Sequence, residues 1–419
     1  VQPGDCFVAL RGPRFDGHQY LAQAQRAGAV AALVDTPQPS IPLAQLQVKD
    51  TTQGLGAIAR INRQRFTGPL VAITGSSGKT TVRAMLEAIL RCEGTVLSTQ
   101  GNLNNHIGVP LTLLRLDGSE QYAVIEMGAS GPGEIAYLCQ LARPDVALVN
   151  NVMPAHLEGF GSIEGVARAK GEIYQSLAPQ GCSVINSDEP FAPMWQAQLA
   201  TNNCMSFSLQ QQQADCYASH IEQGATTCFE LNLQGRRLPV QLQALGLHNI
   251  RNALAAACCA RAVGASDQAI INGLQHFAPV AGRMSIKTGH HGSRVMDDSY
   301  NANPGSVRAA IDVLAHTPGD NLLVLGDMGE LGEQAQQQHA DIGRYASGKN
   351  LAAVFSCGQL SQAITANYSG SAQHFNDQQT LIAHLRSLVA QKQYTILIKG
   401  SRSARMDVVV EALTNEEHC

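Results

Sequence analysis

Between Leu70 and Leu177 short apolar runs alternate with stretches in which apolar residues recur every three or four positions. The runs Leu70 to Thr74, Tyr122 to Met127, Val146 to Asn150 and, just beyond, Cys182 to Asn186 have the length of buried strands. Between them the spacing predicts helices over Val82 to Cys92, Glu134 to Leu141 and Ile163 to Leu177. Such alternation predicts a parallel sheet covered by helices. The rhythm returns later in Arg294 to Asp297, Pro304 to Leu314, Leu322 to Leu325, Ala352 to Phe355, Thr395 to Ile398 and Ala404 to Leu413. It predicts a second, Rossmann-like sheet, although no Gly-x-Gly-x-x-Gly run opens it.

Breaker residues divide this pattern. Thr67-Gly68-Pro69 and Pro279-Val280-Ala281-Gly282 read as linkers, giving expected domains over residues 1–68, 69–279 and 280–419. In the first, Gly28 to Asp35 reads as a helix end followed by a buried strand, and Gly54 to Phe66 as a helix. Residues 204–245 alternate as antiparallel hairpins, with Gln210 to Gln213 a solvated loop. Helices are expected from Asn249 to Val263 and from Ser266 to Phe277. The fold class is therefore α/β in three parts. These are a small, truncated N-terminal α/β domain, a central phosphate-loop ATPase domain on a parallel sheet with an antiparallel subsheet, and a Rossmann-like C-terminal domain.

Composition narrows the function. The 419 residues carry 29 Lys and Arg against 33 Asp and Glu, and 44% are hydrophobic, which excludes a disordered chain. A formal charge of −4 argues against an extended basic face, so no nucleic-acid partner is expected. No apolar run approaches the roughly 20 residues of a membrane span, and Val1-Gln2-Pro3-Gly4-Asp5 has no secretory pattern, so a cytoplasmic protein without a membrane partner is expected. The 11 cysteines form no Cys-x-x-Cys pair, and Cys92, Cys139, Cys258 and Cys259 fall in helical patterns, which points to core packing. The chain opens without Met in the middle of a pattern, so an earlier segment is expected to be missing.

The main chemical signal is Thr74-Gly75-Ser76-Ser77-Gly78-Lys79-Thr80-Thr81, between an apolar strand and a helix with apolar residues at 82, 85, 86, 89 and 90. Small residues let backbone N–H groups converge on phosphate oxygens. The helix N-terminus adds positive potential, Lys79 neutralises the terminal phosphates, and Thr80 is placed to ligate Mg²⁺. The form Gly-x-x-Gly-Lys-Thr is shorter than the common phosphate loop. A carboxylate at a neighbouring strand end is then needed for the metal. Glu126 ends a buried apolar strand and fits that role better than an edge residue facing water.

Lys170 falls on the apolar stripe 163, 166, 167, 173, 174, 177 of a helix opened by Ser162. It either snorkels to water or is held inward as an amine of lowered pKa. His156, after a strand end, is either an exposed loop residue or a metal ligand. His248-Asn249-Ile250-Arg251-Asn252 opens a helix whose amides either cap it or contact a nucleotide. Arg283 sits in the second linker, where a guanidinium can reach a phosphate. The loops Asp297-Asp298-Ser299-Tyr300-Asn301-Ala302-Asn303-Pro304 and Lys399-Gly400-Ser401-Arg402-Ser403 follow strands, at the edge where open α/β sheets bind ligands. Asn303 before Pro304 is also a helix N-cap.

Together with Gly101-Asn102-Leu103-Asn104-Asn105-His106-Ile107-Gly108-Val109-Pro110, Ala155-His156-Leu157-Glu158-Gly159-Phe160-Gly161 and Ala169-Lys170-Gly171-Glu172, these motifs closely resemble the Mur ligases, from Gly4 to the end of the chain. The resemblance implies a three-domain ATP-dependent amide ligase of peptidoglycan precursor synthesis. Within the family the match is to the enzyme that joins D-alanyl-D-alanine to UDP-N-acetylmuramoyl-tripeptide. It implies ATP and Mg²⁺, with two ions expected, a carbamylated Lys170, and metal ligands Thr80, Glu126, His156 and Lys170. ATP contacts fall to Gly75–Thr81, Asn252, Arg283 and Asp298. Lys79, Lys170, His156, Glu126 and Arg283 form the implied catalytic set.

Substrate contacts are implied at Arg11, Asp16 and His18 for the uridine side, and at Asn102, Asn104, Asn105, Asn301, Asn303, Lys399 and Ser401. Position 106 departs from the family, carrying His in place of the usual acidic residue. The implied reaction runs through an acyl phosphate, in a monomer. The rival readings are another ligase of this fold, such as folylpolyglutamate synthase, and a nucleotide switch; the latter lacks an Asn-Lys-x-Asp signature.

Overall fold

The computed structural model describes residues 1–154, 157–199, 203–224 and 226–414. The buried runs become the middle of a nine-stranded sheet. Leu70–Thr74 and Val146–Val149 are buried at every position, because helices cover both faces and leave no side for polar residues. The strand order is Val96–Ser98, Tyr122–Glu126, Leu70–Thr74, Val146–Val149, Cys182–Asn186, Asn203–Ser208, Cys216–Gln223, Thr227–Leu233 and Arg236–Leu242. The first seven are parallel and the last two pairings antiparallel.

The reading of 204–245 as antiparallel hairpins therefore holds only from Cys216 onward; Asn203–Ser208 continues the parallel sheet beside Cys182–Asn186. Period-two alternation reports which side chains face inward, not the direction of the neighbouring strand. The antiparallel portion is continuous with the parallel one.

Two cores lie on the faces of this sheet. One packs Lys79–Leu90, Leu247–Ala262 and Asp267–Gln275, and the other packs Glu134–Ala142 and Ile163–Gln175. Leu247–Ala262 is buried almost all round, which its alanine and cysteine side chains permit. Thr51–Arg65, capped by Asp50, leads from a three-stranded sheet of Cys6–Val8, Ala31–Val34 and Ala44–Gln47.

The C-terminal sheet runs Ser285–Thr288, Arg294–Asp298, Thr395–Lys399, Asn321–Gly326, Ala353–Cys357 and Ala372–Phe375, parallel except for its first strand. Its last helix, expected from Ala404, starts at Asp407 after a 3₁₀ turn at Arg402–Ala404. No helix among the described residues is long and apolar enough to cross a membrane.

Candidate active site

The strand Leu70–Thr74 delivers the glycine-rich loop to the C-terminal edge of the sheet, and Lys79–Leu90 starts from it. Gly78 holds φ at +77°, and a Cβ there would lie 2.6 Å from both Asn150 Nδ2 and Asn252 Oδ1, so only glycine fits without strain. Asn150 donates to Ser77 O at 3.0 Å and to Asn252 Oδ1 at 2.9 Å. Asn151 accepts from Ser77 N at 2.8 Å, and Met153 N donates to Ser76 Oγ at 2.9 Å. The loop is thus fixed from behind by the end of the neighbouring strand, and Asn252 serves as a strut inside its helix rather than a cap.

Thr80 Oγ1 donates to Glu126 Oε2 at 2.8 Å, and Asn104 Nδ2 donates to Glu126 Oε1 at 2.8 Å. Glu126 is 2% exposed. Lys79 Nζ folds back on Gly75 O at 2.8 Å. Desolvation holds the Lys79 pKa below the lysine range; Glu126 opposes this and Arg283 adds to it.

Lys170 points inward from its helix, 2% exposed, with Nζ 5.9 Å from the Phe160 ring centre. The Ser162 hydroxyl accepts from Gly165 N and opens that helix. Burial, with the Lys79 charge adding to it, brings the Lys170 amine down to about 7. Among the described residues it has no carboxylate partner. His156 lies outside the described residues.

The C-terminal sheet closes the other side. Asp298 accepts from Lys399 Nζ at 2.5 Å and from Met284 N at 3.1 Å, and Lys399 also donates to Asn301 O at 2.8 Å. Burial raises the Asp298 pKa, against the opposing lysine. The Arg283 guanidinium lies 4.2 Å from the Tyr300 ring centre.

One cavity of about 440 Å³ gathers Gly75–Thr81, Glu126 and Lys170 with Asn102, Asn104, Asn105 and Asn252 from the central sheet. Arg283, Asp298, Asn301, Asn303 and Lys399 line it from the C-terminal sheet.

Some expected residues already have local work. Asn105 Oδ1 accepts from Gly108 N at 2.8 Å and Asn303 Oδ1 from Ser306 N at 2.8 Å, both opening helices. Asn301 Oδ1 accepts from Ala302 N at 2.9 Å. Ser401, 4% exposed, pairs with Ser403 Oγ at 3.1 Å and is not among the residues that line the cavity. His106 is exposed.

Arg11, Asp16 and His18 form a separate network in the N-terminal region. Arg11 binds both Asp35 oxygens at 2.8 Å and pairs with Asp16; His18 Nδ1 meets Asp16 Oδ1 at 2.7 Å. Asp35 N donates to His18 Nε2 at 3.2 Å, so the Nδ1 proton faces Asp16. The hydrogen bonds from Arg11 and Thr36 hold the Asp35 carboxyl below its ordinary range. Phe15, 56% exposed, stands beside this network on the same hairpin.

Sequence reading missed Asn150, Asn151 and Asp35 as parts of these sites, and placed Tyr300 only as a member of the ligand-edge loop Asp297–Pro304. The paired asparagines directly follow the buried strand Val146–Val149, the one local signal available for them.

Comparison with known proteins finds likeness over the whole chain. The Mur ligase middle domain matches residues 73–260, and the "Mur ligase, glutamate ligase domain" matches residues 282–402. The UDP-N-acetylmuramoyl-tripeptide--D-alanyl-D-alanine ligase of Escherichia coli K12 is 46% identical over all of this chain and 93% of that protein. A crystal structure of MurF from Acinetobacter baumannii superposes with a TM-score of 0.94 at 36% identity, covering 99% of this chain and 91% of that one. MurF ligase from Thermotoga maritima in complex with ADP gives 0.88 at 30% identity, covering 98% and 94%. On these likenesses across its whole length, the chain belongs to the Mur ligase family.

Proposed function

We propose that this chain is the ATP-dependent ligase that adds D-alanyl-D-alanine to UDP-N-acetylmuramoyl-tripeptide in peptidoglycan precursor synthesis. The observation that carries the reading is the single cavity in which the phosphate loop, Glu126 and Lys170 face Arg283 and Asp298 from the other sheet. The 46% identity to a ligase of that name favours it over another ligase of the same fold, and a nucleotide switch leaves the C-terminal wall without a purpose.

The terminal carboxylate of the tripeptide attacks the γ-phosphorus of ATP, the bond to the β-phosphate oxygen breaks, and ADP stays bound beside an acyl phosphate. The free amine of D-alanyl-D-alanine then attacks the acyl carbon, loses a proton, and phosphate leaves. Lys79 and Arg283 lie where they offset charge on the transferring phosphoryl group, a task of positioning and electrostatics. Water would hydrolyse the acyl phosphate, and the linkers near residues 68 and 279 allow the walls to close over it. ATP lies along Gly75–Thr81, and the Arg11–Asp35–Asp16–His18 network with exposed Phe15 suits the uridine end of the precursor. The dipeptide falls to the C-terminal wall, within the expected three-part division of the chain. We place the enzyme in the cytoplasm as a monomer.

The donors fit Mg²⁺. Among the described residues no three His, Cys, Asp or Glu side chains form a metal cluster, but the Thr80 hydroxyl and buried Glu126 carboxylate are hard oxygen donors 2.8 Å apart beside the phosphate site. Mg²⁺, when bound there, neutralises phosphate charge. A second ion would draw on Lys170 after carbamylation, with His156 the further expected ligand. As a free base the Lys170 amine adds to CO₂ and releases a proton, which turns a neutral buried amine into an anionic oxygen ligand near Lys79.

A coupled assay of ADP release tests the reading. Turnover requires the UDP-muramoyl tripeptide and D-alanyl-D-alanine together; ADP release with neither present would contradict it. Running lysine and diaminopimelate tripeptides side by side identifies the accepted third residue.

A further inference from the structure

The strand order sets the direction in which a nucleotide lies. From the loop after Leu70–Thr74, Glu126 and Asn104 are on the side of Tyr122–Glu126, and on the opposite side come Val146–Val149 and then Cys182–Asn186. Lys79, Thr80 and Glu126 draw the phosphate tail to the first side, so the nucleoside extends toward the second. There the cavity wall is formed by the start of Leu247–Ala262, including His248, Asn249 and Arg251.

Arg251 is unusual on that wall. Its side chain keeps 28% of its surface exposed, yet Nε is buried and has no hydrogen-bond partner among the described residues. The carboxylate beside it, Asp188, stands 3.9 Å from Nε, beyond hydrogen-bond reach. Asp188 is itself occupied by Ser208 Oγ and by Leu209 N, the latter at 2.8 Å. The guanidinium therefore stands beside the Asp188 charge without a hydrogen bond at Nε, and the exposed part of the side chain lines the cavity. Arg251 directly precedes Asn252, which braces the phosphate loop, so its backbone is fixed relative to that loop.

We propose that Arg251 is a positioning and specificity residue for the nucleoside half of ATP, laying its planar guanidinium against the purine. The inference rests on the reading of the cavity as the ATP site. Arg251 takes no part in phosphoryl transfer; it sets how tightly the base end is held.

The test is calorimetric binding of Mg·ADP and of Mg·tripolyphosphate to the full chain, as wild type, R251A and R251K. R251A is expected to bind ADP about tenfold more weakly, with tripolyphosphate affinity unchanged, and R251K, which keeps charge without the plane, to recover only part of the loss. In turnover, the KM for ATP rises while kcat and the KM for D-alanyl-D-alanine stay near wild type. Unchanged ADP binding in R251A, an equal loss of both ligands, or full recovery in R251K would each overturn the proposal. Should R251A not fold, judged by its thermal transition, R251Q carries the same comparison. A wild-type chain that binds neither ligand would instead overturn the ATP reading on which the inference stands.

Discussion

At the scale of single residues, Lys170 joins an ordinary helical stripe to an unusual chemical state. Its position was legible because the period of the helix puts residue 170 among residues that must be buried, and the structure holds the amine inward at 2% exposure. Since its pKa is brought down to about 7 from the ordinary 10.5, the free base grows as pH rises through 7, and CO₂ adds only to that form. Lys170→Ala is expected to lose nearly all activity, and short carboxylic acids to restore part of it by supplying the missing oxygen ligand; full activity without additives would remove the role. Wild-type activity should also fall below about pH 7 in CO₂-depleted buffer and recover with bicarbonate, which steady-state rates will show. Asn150, Asn151 and Arg251 could not be read the same way. Their roles depend on which strand ends lie side by side, and sheet order is not encoded in local spacing.

At the scale of elements, the loop after Leu70–Thr74 depends on backbone that only glycine adopts easily. Gly78→Ala adds a methyl against the Asn150 and Asn252 amides at positive φ, so either the loop or its asparagine brace must shift. ADP affinity, measured by calorimetry, should fall at least tenfold; wild-type affinity would show that the brace is dispensable. The turn after Cys182–Asn186 offers a pH test of local stability. Burial pushes the Glu189 carboxyl up to about 7, with the Val152 N–H opposing. The folded chain therefore keeps a proton between about 4.5 and 7 that the unfolded chain has released, and stability is lost as pH rises through that window.

Glu189→Gln keeps the acceptor and removes the charge. Its Tm should match wild type near pH 4 and exceed it by a few degrees at pH 8; equal Tm values at pH 8 would refute the buried-carboxyl account. The strands of the first parallel run were legible because complete burial leaves unbroken apolar runs. Ala335–Ser347, Gln378–Val389 and Ala372–Phe375 were not, because exposed Gln positions and buried or half-buried His positions dilute the apolar period. Val96–Ser98 is too short to carry a pattern.

At the scale of the whole molecule, the cavity belongs to neither sheet alone. Lys79, Glu126 and Lys170 come from one, Arg283 and Asp298 from beside the other, and the Arg11 network lies on a third. The phosphate loop was evident from eight consecutive residues and the opposing loops from their place after strands, whereas the pairing of Asp298 with Lys399 was not, since the two are 101 positions apart. Because phosphoryl transfer to a carboxylate moves an oxygen from peptide to phosphate, isotope labelling tests the joint cavity directly. With the terminal carboxylate of the UDP-muramoyl tripeptide labelled with ¹⁸O, mass spectrometry of the phosphate released in the presence of ATP and D-alanyl-D-alanine should find one labelled oxygen per turnover. Unlabelled phosphate, with its new oxygen taken from solvent, would contradict the account.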